Sequence, residues 1–152
     1  MDTTENQHFD VLLEMGEAGW AYMHLELAGK SLRVRLSEVF NPFPNLVDWG
    51  RRAAEEDVEI GINEEGFVTM LTLRRTGNPD QVLLRVWDRV EETTLLQGNV
   101  SRSELVANFK AEIRLFFETE FNPNQWEPDN GEDPGPDWVP TKQRVLGNDW
   151  FS

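Results

Sequence analysis

The sequence predicts an α+β fold in which an antiparallel sheet of about six strands carries two helices on one face. Three observations support this prediction. Apolar and polar residues alternate in a series of short runs, and turns that contain glycine or asparagine separate many of these runs. Two longer segments instead repeat apolar residues at helical spacing. The predicted order of elements is β-β-β-α-β-β-β-α, followed by an extended acidic segment that contains proline and tryptophan.

The first three strands are predicted to form an antiparallel meander. Alternation begins at Phe9 and continues through residues 9–15, and residues 16–19 then form a glycine-containing turn. The second strand has apolar side chains at alternate positions of residues 23–27, and the third has them at alternate positions of residues 32–36. Because short turns separate these runs, we expect consecutive strands to pair as hairpins.

A break that contains two prolines precedes the first predicted helix. Pro44 suits the first helical position, because its fixed backbone angle is already helical and its missing N–H has no partner there. Apolar and small residues then recur at helical spacing in residues 46–54. Acidic residues 55–57 are unfavourable at the C-terminus of a helix, where the helix dipole is negative. We therefore expect this helix to cover residues 44–55.

A second group of strands is predicted after this helix. Residues 58–62 alternate again, and residues 63–66 are typical of a hairpin loop that leads into the next strand. Residues 77–80 form another turn, which precedes a long strand over residues 82–90. Residues 93–97 are a candidate for a short further strand.

The second helix is the clearest one in the sequence. Ser101 and Glu104 form a capping box, in which each side chain satisfies a backbone N–H at the start of a helix. A wide apolar stripe with three phenylalanines follows. The helix is predicted over residues 102–120, with its apolar side against the sheet.

The chain is predicted to have one domain and a separate C-terminal segment. Residues 1–121 form the α+β domain, which is long enough to bury a core. Residues 122–152 contain five of the eight prolines and three of the six tryptophans. Tryptophan buries a large apolar area when it finds a surface. We therefore expect this segment to dock on the domain or to bind a partner.

The charge of the chain restricts its partners. The formal net charge is −14, and residues 122–152 contribute −4 of it through six acids and two bases. Binding to nucleic acid or to an anionic membrane needs positive potential, so we expect neither, and a basic protein is the expected partner. The sequence has no cysteine and no run of about 20 apolar residues, and its first residues have neither a basic segment nor an apolar run, so no signal peptide is expected. A cytoplasmic location is expected.

Arginine and aromatic residues occupy the outward positions of several predicted strands. With the aliphatic positions facing the core, the opposite face has aromatic and polar side chains on the second strand and arginines on the third and sixth. Arginine stacks on rings and forms paired hydrogen bonds with carboxylates, so this face suits planar or anionic groups. Pairing of the arginines with acids across the strands is the structural alternative. The candidate binding residues here are Tyr22, His24, Arg33, Arg35, Arg85, Trp87 and Arg89.

The tryptophans of the C-terminal segment complete the predicted binding set. An acidic segment that contains Trp126, Trp138 and Trp150 is chemically complementary to an arginine and aromatic face. We expect Trp126 or Trp138 to pack against Trp87 or Tyr22, with nearby acids beside the arginines. If the segment is free, its end around Trp150 resembles the acidic and aromatic C-terminal tip of bacterial single-stranded DNA-binding protein, which is a docking peptide.

No residue pattern predicts a catalytic residue, a cofactor or a metal site. Acids cluster between residues 55 and 65, but their spacing matches no EF-hand loop, and a solvated charged run explains them. His24 and Glu26 share a strand face without an identifiable third ligand. Motifs of nucleophilic, nucleotide-binding and dinucleotide-binding enzymes are absent from the sequence.

The layout of the chain resembles small acidic bacterial proteins of unassigned function. The strand runs, the helix entry NPFPNLVDW, the hairpin IGINEEG and the helix SRSELVANFKAEIRLFF produce this likeness. Some proteins of this type are immunity proteins or antitoxins that neutralise a basic toxin. The predicted function is therefore non-enzymatic protein binding, with inhibition of a basic protein as its specific form. A small-molecule or anion binder, or an enzyme, that uses the arginine and aromatic face is the alternative, and a DNA-mimicking inhibitor is a third possibility.

Overall fold

Seven strands form two antiparallel sheets in the computed structural model, which describes residues 5–126 and 139–152. Sheet A has the order β1–β2–β3, and sheet B has the order β4–β5–β6–β7. The strands are β1 (Phe9–Met15), β2 (Trp20–Leu27), β3 (Lys30–Ser37), β4 (Val58–Asn63), β5 (Val68–Arg75), β6 (Gln81–Asp88) and β7 (Thr93–Ser101).

Two long helices and three short C-terminal elements complete the described chain. The long helices are α1 (Phe43–Arg52), between the two sheets in sequence, and α2 (Arg102–Thr119), after β7. The C-terminal elements are α3 (Pro123–Trp126), α4 (Thr141–Leu146) and a single turn of 3-10 helix (Asp149–Phe151).

The α+β fold and the antiparallel pairing are confirmed, but the arrangement differs from a single sheet of about six strands. Within the described residues, β3 is not hydrogen-bonded to β4 as a strand partner, so the strands divide into three and four. Alternation identifies a strand and its buried side. It does not reveal whether two strands on either side of a helix pair, and α1 separates β3 from β4. The expected short strand at residues 93–97 extends to Ser101.

One apolar core joins both sheets to the two long helices. The Phe9 ring of β1 stacks on Phe109 of α2 with centroids 5.7 Å apart. Phe43, at the start of α1, lies 5.6 Å from Phe116 and 4.9 Å from Phe117. Buried ring pairs of this kind contribute beyond the area that they remove from water. The phenylalanines of α2 therefore anchor the core, as their spacing predicts.

Polar contacts set the ends of the two long helices. The Ser101 hydroxyl accepts a 3.2 Å hydrogen bond from the backbone N–H of Glu104, which confirms the predicted cap of α2. Arg102 Nη1 donates to the carbonyl oxygens of Ala53 at 2.6 Å and of Glu56 at 2.9 Å. These bonds satisfy carbonyl groups beyond the last turn of α1. The helix accordingly ends at Arg52 rather than at Glu55.

A spanning helix needs about 20 predominantly apolar residues. None of the helices in residues 5–126 and 139–152 has both the length and the apolar character to cross a membrane.

Candidate functional site

Four of the predicted binding residues lie together on the outer surface of sheet A. The strand register places Tyr22 of β2 opposite Arg35 of β3, and His24 opposite Arg33. Side chains that are directly opposite on antiparallel strands have Cβ atoms about 4.5–5.5 Å apart, so they can contact each other. The residues between them on each strand point into the core. We call the surface formed by these four residues the β2–β3 face.

Aromatic rings hold both arginines of the β2–β3 face. The guanidinium carbon of Arg33 lies 4.6 Å from the ring centroid of Tyr22. That of Arg35 lies 5.5 Å from the ring of Trp20 and 5.0 Å from the ring of Phe67. Stacking restricts a long side chain, while the N–H groups in the guanidinium plane keep their ability to bind carboxylates. Neighbouring rings therefore restrict the positions of both guanidinium groups.

Glu64, in the loop after β4, fixes the position of Arg35. The residue is only 3% exposed. One carboxylate oxygen accepts a 2.8 Å hydrogen bond from the backbone N–H of Arg35 and lies 3.5 Å from its Nε atom. The other oxygen accepts from the hydroxyl of Thr69. A buried carboxylate is costly unless such donors surround it. Glu64 thus joins the β4–β5 hairpin of sheet B to β3 of sheet A.

The interpretation of residues 55–65 as a solvated acidic run is wrong for Glu64. Other acids of the run do lie nearer the surface and have basic neighbours. Glu56 lies 3.4 Å from Arg52. Asp57 accepts a 2.9 Å hydrogen bond from the backbone N–H of Arg75, and this bond holds the pKa of the Asp57 carboxyl below its usual value. Across the described residues, no three His, Asp or Glu side chains are grouped to hold a metal ion.

Phe67 and Glu64 contact Arg35 of the β2–β3 face but were not among the predicted binding residues. Both belong to the β4–β5 hairpin, and alternation assigns them only to a loop and to the start of a strand. Their role depends on β3 lying beside that hairpin, although the two are separated by more than 25 positions in sequence. The only local sequence feature that points to this role is the apolar Phe67 directly after a turn. In the structure this side chain is 37% exposed.

A cavity of about 310 Å³ opens on sheet A beside the β2–β3 face. Arg33 and His24 share its lining with the carboxylates Asp10 and Glu26, so both signs of charge are present. Leu12 of β1 adds an apolar side chain that is 55% exposed. The two carboxylates beside Arg33 repel a negative ligand, so the cavity is poorly suited to a simple anion.

The ring of His24 contributes a nitrogen without a hydrogen-bond partner to this surface. Its Nε2 atom is buried and makes no hydrogen bond with any described residue. The nearest carboxylate oxygen, of Glu14, lies 3.9 Å away.

Arg85, Trp87 and Arg89 are not part of the β2–β3 face. Arg85 and Trp87 belong to β6 of sheet B, where the Arg85 guanidinium carbon lies 4.6 Å from the Trp87 ring. Arg85 Nε donates to the Thr94 hydroxyl at 2.9 Å, and Trp87 Nε1 donates to the Thr72 hydroxyl at 3.1 Å. Arg89 lies exposed just after β6. The predicted arginine and aromatic residues are therefore divided between two sheets.

The expectation that Trp126 or Trp138 packs against Trp87 or Tyr22 does not hold for Trp126. Trp126 is 2% exposed, and its ring centroid lies 5.0 Å from that of Phe43 and 6.3 Å from that of Phe121. The aromatic cluster at the start of α1 offers this ring nearly complete removal from water, whereas a strand face leaves one side of the ring exposed.

Trp150 packs on α1 rather than on either sheet. A Cβ atom at Gly50 would lie 2.6 Å from Cη2 of Trp150, so the indole occupies the space that glycine leaves open. The carbonyl oxygen of the adjacent Phe151 accepts a 2.8 Å hydrogen bond from Nη2 of Arg114 in α2. Trp138 lies outside the described residues. The end of the chain is thus docked on α1 and α2.

Comparison of the chain with protein-family models, with curated proteins and with solved structures finds no match. The resemblance to immunity proteins and antitoxins therefore stays a prediction from layout. Any function must be argued from the β2–β3 face itself, because fold alone does not determine function.

Proposed function

We propose that this chain is a non-enzymatic protein-binding module whose contact surface is the β2–β3 face. One observation supports this most directly. Arg33 and Arg35 are stacked on aromatic rings at the surface, where Arg33 is exposed and Arg35 is half-buried. Arginine and tyrosine are the residue types enriched among the residues that dominate binding energy at protein interfaces.

The order already present in these side chains favours tight contact. Immobilising a flexible side chain costs about 0.5–1.5 kcal/mol when a complex forms. Stacking on Tyr22 restricts Arg33, and the rings of Trp20 and Phe67 together with Glu64 restrict Arg35. Part of this cost is therefore met during folding. The exposed Leu12 provides an apolar contact at the edge of the same surface.

The proposed partner is a protein with net positive charge, of which a basic toxin held by an immunity-like inhibitor is the specific form. A net charge of −14 attracts such a protein at long range and increases the rate of encounter. The two arginines would then contact individual carboxylates on the partner at short range. This proposal predicts an association rate that falls as salt concentration rises, and an association rate that is independent of salt would contradict the basic partner.

The experiment that tests the proposed function compares two variants that each remove one positive charge. Wild type, Arg33→Ala and the control Arg144→Ala are used to capture proteins from a cell extract, and the dissociation constants of each captured protein are then measured with purified components. Arg144 is exposed on α4, away from sheet A. We expect Arg33→Ala to weaken one specific complex about tenfold or more, and Arg144→Ala to leave it unchanged. Equal affinities for both variants would contradict the proposal.

The cavity beside Arg33 favours a second candidate function, the binding of a small molecule. Its volume of about 310 Å³ is at the lower limit of ligand sites. Because Asp10 and Glu26 line it together with Arg33, the ligand would contain both charges, as amino acids and short peptides do. A thermal-shift screen over such compounds tests this function. A rise in Tm that Arg33→Ala removes would support it, and no shift with any compound would count against it.

A further inference from the structure

The two edges of sheet A can be identified from the hydrogen-bonding pattern of its strands. In an antiparallel pair, residues alternate between those that bond to the neighbouring strand and those whose N–H and C=O groups point away from it. Glu38 N–H bonds to the Gly19 carbonyl oxygen, and Arg35 N–H bonds to Glu64 rather than to β2. With the observed register, the backbone groups of Ser31, Arg33 and Arg35 therefore point away from β2.

Helix α2 covers the opposite edge of the sheet, formed by β1. Asn108 Nδ2 donates to the Phe9 carbonyl oxygen at 3.2 Å, and a carboxylate oxygen of Glu112 accepts from the backbone N–H of Leu13 at 3.4 Å. Side chains of a helix thus replace the missing strand at this edge. Unpaired edges are otherwise open to pairing with another chain, and proteins commonly cover them.

The β3 edge has no comparable cover. Among residues 5–126 and 139–152, the outward N–H of Arg35 bonds to the carboxylate of Glu64, and the carbonyl oxygen of Ser37 accepts from the backbone N–H groups of Phe40 and Asn41. The outward N–H and C=O groups of Ser31 and Arg33 make no hydrogen bond with any described residue, and both residues are exposed. The backbone N–H and C=O groups at two consecutive outward positions of β3 are therefore available for hydrogen bonds. Glu64 occupies the next outward position, at Arg35.

We propose that the partner adds an extended segment to the β3 edge, as a fourth, antiparallel strand of sheet A. This inference rests on the proposed protein-binding function and specifies how the partner is held. The added strand exchanges backbone hydrogen bonds with Ser31 and Arg33. Its carboxylates, at alternate positions, lie on the same side of the sheet as the β2–β3 face, opposite Ser31 and Arg33. This is the arrangement by which peptides extend existing sheets.

Charge and spacing identify the segment as acidic. Lys30, Arg33 and Arg35 make β3 a basic strand in a chain of net charge −14. Among the described residues, no carboxylate lies within 4.0 Å of the Arg33 guanidinium. Side chains two residues apart on a strand share a face and are about 6.8 Å apart, so a carboxylate opposite Arg33 lies diagonal to Arg35 and is within reach of both guanidinium groups.

The test uses the synthetic peptide acetyl-Val-Glu-Val-Glu-Val-amide and full-length ¹⁵N-labelled protein. Titration to millimolar peptide is followed by NMR, and we expect the amide signals of Ser31 and Arg33 to move while those of β1 stay in place. In the antiparallel register, the glutamate N–H groups point toward β3. A peptide methylated at the glutamate nitrogens should therefore have an affinity at least about tenfold lower than the parent peptide. A peptide methylated at the central valine nitrogen should bind with the affinity of the parent.

Two protein variants separate edge pairing from side-chain contact. Arg33→Pro removes the outward N–H without removing a bond to β2, whereas Arg33→Ala keeps the N–H and removes only the guanidinium. Circular dichroism shows whether each variant is folded. If Arg33→Pro is unfolded, the methylated peptides still test edge pairing with the wild-type protein. Binding that is weaker in Arg33→Pro than in Arg33→Ala supports the proposal.

Three results would overturn edge pairing while leaving the proposed function to its own test. The first is the absence of binding at millimolar peptide. The second is equal binding of the two methylated peptides. The third is equal affinity of Arg33→Pro and Arg33→Ala, which would mean that the outward N–H of residue 33 takes no part in binding the peptide. The proposed function, by contrast, fails if a captured protein binds Arg33→Ala as it binds Arg144→Ala.

Discussion

At the scale of single residues, Gly50 shows how one missing side chain positions the end of the chain. Its place in α1 gives Trp150 a flat surface on which to pack, because an added Cβ would lie 2.6 Å from the indole. Glycine in the interior of a helix costs about 1 kcal/mol relative to alanine. Glycine at this position therefore lowers the stability of the helix itself but leaves room for Trp150 to pack against it.

A double-mutant cycle measures this contact. We expect Gly50→Ala to lower the free energy of unfolding by about 1–3 kcal/mol, because the indole must move away from the new methyl group. In a Trp150→Ala background the same change should be neutral or stabilising, because the obstacle is gone and alanine favours the helix. Urea unfolding gives the four values. An equal effect of Gly50→Ala in both backgrounds would contradict the packing of Trp150 on Gly50.

Asp80 is a second residue whose hydrogen bonds stabilise the structure, in this case at the start of α2. Its carboxylate accepts hydrogen bonds from the Ser103 hydroxyl at 2.6 Å, the Ser101 hydroxyl at 2.8 Å and the Ser103 backbone N–H at 2.9 Å. The two hydroxyl bonds, that of Ser103 first, hold the pKa of Asp80 below its ordinary value. These contacts add a carboxylate to the N-terminal end of α2, where negative charge is favourable.

The lowered pKa of Asp80 predicts how stability depends on pH. A carboxylate with a depressed folded-state pKa contributes stability that is present above its ordinary pKa and is lost as pH falls through the folded value. We expect Asp80→Asn to be less stable than wild type at pH 7 by about 0.5–1 kcal/mol, the magnitude of an exposed helix cap. The difference should shrink as both proteins are taken below pH 4, the ordinary range of the group. Denaturant melts at several pH values measure it, and a constant difference would contradict the assignment.

At the scale of elements, the sequence predicts the boundaries and the buried side of a strand or helix better than it predicts which other element packs against it. Alternation and the Ser101 cap identified the strands and α2 to within a few residues. The division into two sheets depends on contacts such as Arg35 with Glu64, for which no local pattern exists. The position of Trp126 was missed for the same reason, since a single ring in a proline-rich segment has no periodicity that points to a surface.

The link between the β4–β5 hairpin and β3 can be tested with matched acid substitutions. Glu64→Ala leaves the backbone N–H of Arg35 without its partner, so we expect a loss of about 1–3 kcal/mol in unfolding free energy. Amide exchange at Arg35 should accelerate as well. Glu55→Ala removes the same charge from an exposed position and should change stability by less than about 0.5 kcal/mol. Similar losses for the two variants would mean that Glu64 does not join the sheets.

At the scale of the whole molecule, the proposed binding surface and residues 139–152 lie on different parts of the domain. The β2–β3 face lies on the outer side of sheet A. The end of the chain instead contacts the helices, with Val145 buried, Trp150 on Gly50 and Phe151 bonded to Arg114. Residues 139–152 therefore contribute to stability through contacts with the helices, and none of these contacts involves the β2–β3 face.

Deletion of residues 141–152 separates these two roles. Full burial of a side chain such as Val145 is worth about 1.5–3 kcal/mol, and Trp150 adds further apolar contact, so we expect the truncated protein to lose about 2–4 kcal/mol of unfolding free energy. A double substitution of the exposed Lys142 and Arg144 by alanine should leave stability unchanged. Below its lower Tm, the truncated protein should still bind the acidic peptide at the β3 edge with wild-type affinity. Unchanged stability would contradict docking of the segment, and lost affinity in a folded truncated protein would contradict the separation of the two surfaces.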